Sequence, residues 1–397
     1  MSQRTGDLPE PGADELAHSQ HLRERIRSEI EASGAIPFSR FMELCLYAPG
    51  LGYYSAGSTK LGADGDFVTA PELGSLFASC VANACAPVLR GLGDDACFLE
   101  IGGGSGAFAA DLLMSLARLD ALPREYWMLE PSADLRERQH EHLASTLPAD
   151  LAARVRWIDG PPEDDWSGVL FANEVVDALP TTRFTLRDGE VYEEYVALDG
   201  DRFVRVDRPT DALVSGAVRH VERDLKIGFA DGYRSEILPQ LPYWMQAVLG
   251  GLAKGIALFI DYGYARDAYY WPDRVDGTLM CHYRHRAHSD PLQLPGLQDI
   301  TASVDFTALA EAGNSAGFGV AGYASQAQFL IANGLAEQHN AIVANSGERD
   351  VYRAAQEIKK LTLPGEMGER FKAMLFARGM DPSWLPEFGT NNLLSRL

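Results

Sequence analysis

From residue 95 the chain alternates short apolar runs with amphipathic ones: ACFLEI, GAFAADLLMSLARL, YWMLEP, SADLRERQHEHLAST, RVRWIDG and GVLFANEVVDALP follow one another closely. Short apolar runs separated by helix-length amphipathic stretches predict a parallel sheet covered by helices on both faces, an α/β fold. Between Arg183 and Arg208 the pattern changes. RFTLRDGEVYEEYVALDGDRFVRVDRP alternates around Asp188-Gly189 and Asp199-Gly200-Asp201, as antiparallel hairpins do. The first pattern then resumes with a helix near Leu238 to Lys254 and the strand GIALFIDYGY, so residues 181–235 read as a β-rich insertion or small cap. A long loop, a helix in DFTALAEAGNSAGF, a strand in YASQAQFLIANG and two helical stretches, Glu348 to Leu361 and Met367 to Arg378, complete a domain over 95–397.

Residues 1–20 read as a flexible arm and residues 21–94 as a helical N-terminal segment. Within it HLRERIRSEIEASG is a helix stopped by Gly34, a second helix covers Phe38 to Tyr47, and an apolar helix runs from about Pro71 to Leu89. The Gly-rich loop between the last two is of a length that covers or lines a site in compact domains.

Composition removes several function classes. At 397 residues, 46% hydrophobic and 23% charged, the chain is globular, with a size for two or three domains. The formal net charge is −21 and no Lys/Arg cluster tracks a phosphate backbone, so nucleic acid is not an expected partner. Five cysteines without a C-x-x-C suit a reducing compartment. The most apolar later stretch, GIALFI, is far short of the ~20 residues of a membrane span. The opening residues are polar, include acids and are not Arg-rich, unlike a secretory or mitochondrial leader. The expectation is a soluble, cytoplasmic protein with no membrane insertion.

The sharpest motif is FLEIGGGSGAF, with Glu100 at a strand end and Gly102, Gly104 and Gly106 in the turn that opens a helix. Glycines let backbone approach a ligand, and the first βα turn of a doubly wound sheet faces its ligand crevice. The same letters fit a dinucleotide fingerprint (Gly102, Gly104, Ala107), and a packing turn is the bland alternative. Glu100 favours S-adenosylmethionine, because a carboxylate at that turn suits a cationic methionine end and repels a pyrophosphate. Glu130, followed by Pro131, ends the next strand, where a carboxylate accepts both ribose hydroxyls; that feature is shared by both cofactors, and a solvated strand-end carboxylate is the alternative. At the following strand end, ANEVVDALP brings Asn173, Glu174 and Asp177 toward the same crevice as acceptor-side groups, with helix capping the alternative for Asn173 or Asp177. Methyl transfer needs alignment, charge complementarity and proton removal, and an amine or guanidinium acceptor suits carboxylates there.

IPFSRFMELCLYAPGLGYY, GADGDFVTAPELGSLF, LEIGGGSGAFAADLL, ANEVVDALP, ALFIDYGY and DPLQLPGLQDITASVDF together span about residues 36–330. They resemble the MidA family of class I methyltransferases, whose mitochondrial members are arginine methyltransferases needed for respiratory complex I assembly. The resemblance implies a Rossmann-like methyltransferase sheet, S-adenosyl-L-methionine as donor, and a protein substrate, a respiratory complex I subunit in those members. It places the glycine motif on Gly102, Gly104 and Gly106 and the acidic strand end on Glu130. It also suggests that Phe67, Thr69 and Glu72 close over the methionine end of the cofactor. Methylation of a small molecule and a non-catalytic assembly role are the alternatives. Cys281-His282-x-x-His285-x-x-His288 has ligand atoms at close spacing, but Arg284 and Arg286 would oppose a cation, so no metal site is expected. His288 and Asp290 read as acceptor-orienting residues or as ordinary loop hydrogen-bonding groups.

Overall fold

The computed structural model describes residues 8–55, 69–390 and 392–397. All five residues of Cys97–Ile101 are buried, as an unalternating apolar run must be when helices cover both faces of its sheet. Numbering the strands of this sheet along the chain gives β1 Cys97–Ile101, β2 Tyr126–Leu129, β3 Val155–Ile158, β4 Trp166–Asn173, β5 Leu252–Tyr264, β6 Gly319–Ser325 and β7 Phe371–Arg378. Their spatial order is β6-β7-β5-β4-β1-β2-β3. The first five pair in parallel, and β7 is wedged antiparallel between β5 and β6. A two-residue strand, Val304–Asp305, extends the parallel pairing beside the end of β5. This is the Rossmann-like α/β sheet expected from the sequence.

Two compact units interleave along the chain, where the sequence pattern suggests consecutive segments. The unit that carries the seven strands comprises Val68–Val176, Leu241–Ala265 and Val304–Leu397. Its core includes helix Leu76–Leu92, buried along most of its length, and helix Ala107–Arg118. Phe108 stacks on Phe171 of β4 with ring centroids 4.3 Å apart, and Phe98 on Tyr126 at 5.0 Å. Two details differ from expectation. Residues Met367 to Arg378 read as helix because Lys, Ala, Met, Leu and Arg are good helix formers, yet Phe371–Arg378 forms β7, where Ala373 to Phe376 are fully buried between two partner strands. β6 stops at Ser325, whose hydroxyl accepts the Gln328 N–H and caps a helix at Gln326–Ala332.

The other unit comprises Met1–Phe67, Asp177–Gln240 and Arg266–Ser303. Helix Ala13–Ser33 begins inside the expected arm: only Leu22, Ile26, Ile30 and Ser19 bury, so its polar first turns leave no apolar signal. Gly34 ends it in the left-handed conformation, donating its N–H to Ile30 O. The expected hairpins are Thr182–Arg187, Glu190–Asp199 and Arg202–Pro209, with Asp188 and Gly189 both at positive φ, the backbone a tight hairpin turn requires. They share a five-stranded sheet with Arg234–Ile237 and with Ile36–Pro37, whose two residues pair with Val196 and Tyr195. The β-rich segment is thus not a separate cap; its sheet includes N-terminal residues. Arg183 is buried in this unit and contacts the carboxylates of Glu236 (3.1 Å), Glu194 (3.4 Å) and Asp276 (2.6 Å), while Arg234 reaches Glu194 (2.6 Å) and Asp207 (2.9 Å).

The stretch after Tyr264 contains a three-stranded sheet, Met280–Tyr283, Arg286–His288 and Asp299–Thr301. Among the described residues no helix is long and apolar enough to cross a membrane, and no three His, Cys, Asp or Glu side chains gather as metal ligands.

Candidate active site

The winding of the sheet reverses between β1 and β4, which lie side by side. In open α/β sheets ligands bind at the carboxyl ends of the strands flanking such a reversal. Beyond β1 the chain turns through Gly102, Gly104 and Gly106, all at positive φ, into helix Ala107–Arg118. Gly102 N–H donates to Leu129 O of β2 at 3.1 Å, fastening the turn to the next strand. At Gly103 a Cβ would lie 2.4 Å from Met128 Cε, so a side chain there would have to push the end of the methionine aside.

Two carboxylates lie under and beside this bend. Glu100, on β1, is buried; its Oε2 accepts the Tyr126 hydroxyl at 2.7 Å, and burial pushes the carboxyl up to about 7. Glu130, directly after β2, accepts the Ser132 N–H at 3.0 Å and is likewise pushed up to about 7 by burial. Among the described residues neither carboxylate accepts a hydrogen bond from Arg or Lys. Arg136 donates instead to the Glu130 carbonyl and to the Asp159 carboxylate. Pro131 is exposed beside Glu130.

Gln139 joins these parts, and the sequence reading missed it. Fully buried on helix Ala133–Thr146, it donates through Nε2 to Gly104 O (2.9 Å) and Glu130 Oε2 (3.4 Å), and accepts the Trp157 indole N–H from β3 at 2.8 Å. The available signal was spacing: Leu135, Gln139 and Leu143 recur every four residues on one helix face, where a polar side chain needs partners. Above the bend the short turn Ala70–Glu72, preceded by Thr69, brings the Glu72 carboxylate onto the Ser105 hydroxyl. Phe67 lies outside the described residues.

The end of β4 supplies the opposite wall. Asn173 Nδ2 donates to Glu174 Oε1 at 3.2 Å, and Asn173 Oδ1 is buried without a hydrogen-bond partner among the described residues. Glu174 sits at φ +53, a left-handed backbone that non-glycine residues rarely adopt, and its N–H donates to Ile260 O of β5. Asp261, buried on β5 and also missed, secures this turn by accepting the Val176 N–H at 3.0 Å. A Cβ on Gly102 would meet Val175 at 3.0 Å, so the two turns pack directly against each other. A cradle of backbone with uncompensated carboxylates can take a ligand that carries vicinal hydroxyls and a cationic end.

The profile of the family described as "Putative S-adenosyl-L-methionine-dependent methyltransferase" matches residues 80–324. The chain belongs to this family. A Burkholderia thailandensis protein solved bound to S-adenosyl-homocysteine is 43% identical and superposes with a TM-score of 0.88, covering 94% of this chain and 96% of that one. Relatives named protein arginine methyltransferase NDUFAF7 homolog, mitochondrial, from Caenorhabditis elegans and Drosophila melanogaster are 26% and 27% identical. The alignments cover 92% and 96% of this chain and 88% and 90% of theirs. The methyltransferase therefore depends on S-adenosylmethionine, and the dinucleotide reading of the glycine turn falls away.

The remaining sequence candidates lie in the other unit. Asp177 O accepts the Ala302 N–H at 3.0 Å. His288 is half-buried on the strand paired with Met280–Tyr283, and burial holds its imidazole below the usual range. Asp290 caps its own loop, accepting from Leu292 N (3.1 Å) and Gln293 Nε2 (2.8 Å), which is the loop-bonding alternative in geometry.

Proposed function

We propose that this methyltransferase modifies an arginine of a protein, with a respiratory complex I subunit-like protein as the acceptor to test first. The observation that carries this reading is the Asn173–Glu174 pair at the switch point, held in a left-handed turn against the glycine bend. The NDUFAF7 relatives, named protein arginine methyltransferases, support that acceptor class. When bound, S-adenosylmethionine supplies an electrophilic methyl on a positively charged sulfur.

Glu130 accepts the ribose hydroxyls, with Pro131 beside it, and the backbone at Gly102, Gly104 and Gly106 receives the amino-acid end. Glu100 braces that bend from below, and Thr69 and Glu72 close it from above. Glu174 orients the incoming guanidinium and accepts its proton; with a free pKa above ~12 a guanidinium needs both. Asn173 donates to that carboxylate and holds it in place, which would align the nucleophilic nitrogen for a bound methyl donor. Asp177 is proposed with them, and His288 and Asp290 as acceptor-binding residues, on sequence grounds.

The test is transfer of labelled methyl from S-adenosylmethionine into a lysate lacking the protein, followed by hydrolysis and mass spectrometry. Methylarginine in a protein band is expected, and Glu174→Gln should bind S-adenosylhomocysteine yet transfer nothing. Label in a small-molecule fraction, label on another residue type, or wild-type transfer by Glu174→Gln would refute the assignment. Absence of any transfer by a chain that binds cofactor would point to the assembly role.

A further inference from the structure

The N-terminus of helix Leu76–Leu92 is capped from far along the chain. Ser75 occupies the N-cap position but makes no side-chain cap. The N–H groups of the first turn still need acceptors, because they have none within the helix. Glu357, on helix Glu348–Thr362 and buried, provides them: its Oε1 accepts the Leu76 N–H at 2.8 Å, and the Phe77 N–H also bonds to it. Gly74 makes room for this contact. At φ +157 it carries no side chain, and a Cβ there would lie 2.2 Å from Glu357 Oε2. Two residues earlier Glu72 meets Ser105, whose hydroxyl oxygen in turn accepts the Ala107 N–H at 3.3 Å. The far helix is itself held, with Ala354 and Leu361 buried and Leu361 O bonded to the Gln326 side chain. Glu72 and Glu357 both lie outside the segment matched by the family profile.

We infer that Glu357 is a positioning residue for the cofactor site: by capping helix Leu76–Leu92 beside Gly74 it fixes the short segment that sets Glu72 on Ser105 of the glycine bend. The inference rests on the reading that the cofactor lies on that bend. Loss of the cap would free residues 70–75 from the helix start and let Glu72 leave Ser105. A carboxamide keeps one acceptor oxygen, so Gln should substitute where Ala does not.

The experiment is calorimetric titration of the full chain with S-adenosylhomocysteine, for wild type, Glu357→Gln, Glu357→Ala, Ser105→Ala and the Glu357→Ala/Ser105→Ala double variant. Wild type binds if the cofactor reading holds, and failure there refutes that reading independently of Glu357. Given binding, Glu357→Gln should stay within about twofold of wild type, and Glu357→Ala should weaken binding about five- to tenfold. The double variant should be no weaker than Ser105→Ala alone, since residues acting along one path are not additive. Wild-type affinity in Glu357→Ala, or effects that multiply in the double variant, would overturn the inference, because a cap that merely stabilises the helix is independent of Ser105. Should Glu357→Ala not fold, Gly74→Ala displaces the same carboxylate and carries the same test against Ser105→Ala.

Discussion

Two pairs of buried carboxylates, one pair in each unit, meet different partners. In the hairpin-rich unit Glu194 and Glu236 are fully buried, and Arg183 and Arg234 reach them at 2.6 to 3.4 Å. In the parallel-sheet unit Glu100 and Glu130 are nearly as buried, yet among the described residues they take hydrogen bonds from a tyrosine, a backbone N–H and an amide and from no Arg or Lys. Burying an ionised carboxylate without a partner is costly, so such groups shift toward the neutral form. Beside the glycine bend, the carboxylates of Glu100 and Glu130 have no cation within hydrogen-bond distance among the described residues.

The comparison breaks most easily at Arg183. Arg183→Met leaves Glu194 and Glu236 without their shared cation and should cost about 3–5 kcal/mol, read as a lower denaturation midpoint. A loss below about 1 kcal/mol would mean that this network is not structural.

The pH dependence is the next largest effect. Glu100 and Glu130 rise from an ordinary 4.5 to about 7 in the folded chain, so the folded state favours their protonated forms. Their contribution to stability is complete below about 4.5 and is lost as pH rises through about 7, up to ~3 kcal/mol per group. Denaturant unfolding between pH 5 and 8 should therefore show falling stability, and Glu130→Gln should flatten the decline. An unchanged slope in that variant would show that Glu130 is not held neutral by burial.

At neutral pH Glu130→Gln should lower S-adenosylhomocysteine affinity about 10- to 100-fold, or ~1.4–2.8 kcal/mol, with an unfolding midpoint equal to or above wild type. A stability loss like that of Arg183→Met would erase the contrast between the units. The smallest effect belongs to Gln139→Met, which leaves Gly104 O and the Trp157 indole without their partner. It should destabilise by about 1–2 kcal/mol and weaken binding only a few-fold by calorimetry.

Much of the parallel sheet was readable because each strand announces itself locally: a buried apolar run next to a glycine turn or an amphipathic helix needs no distant information. β7 was not, since its residues favour a helix and only pairing with β5 and β6 makes them a strand. The pairing of Ile36–Pro37 with Val196 and Tyr195 is likewise invisible, because two residues carry no periodicity. In the candidate site, Glu100, Glu130, Asn173 and Glu174 stand at or next to strand ends, which is why the pattern singles them out. Gln139 and Asp261 escaped because their importance lies in burial and in bonds to backbone several elements away, and Glu357 because its partner is 281 positions earlier.

A crystal structure of the protein with S-adenosylhomocysteine would show directly whether the cofactor lies on the glycine bend. Both ribose hydroxyls are expected on the Glu130 carboxylate, with the amino-acid end over Gly102 to Gly106. A ligand bound elsewhere, or Glu130 still turned to Ser132 and Gln139 with no contact to the sugar, would contradict that placement.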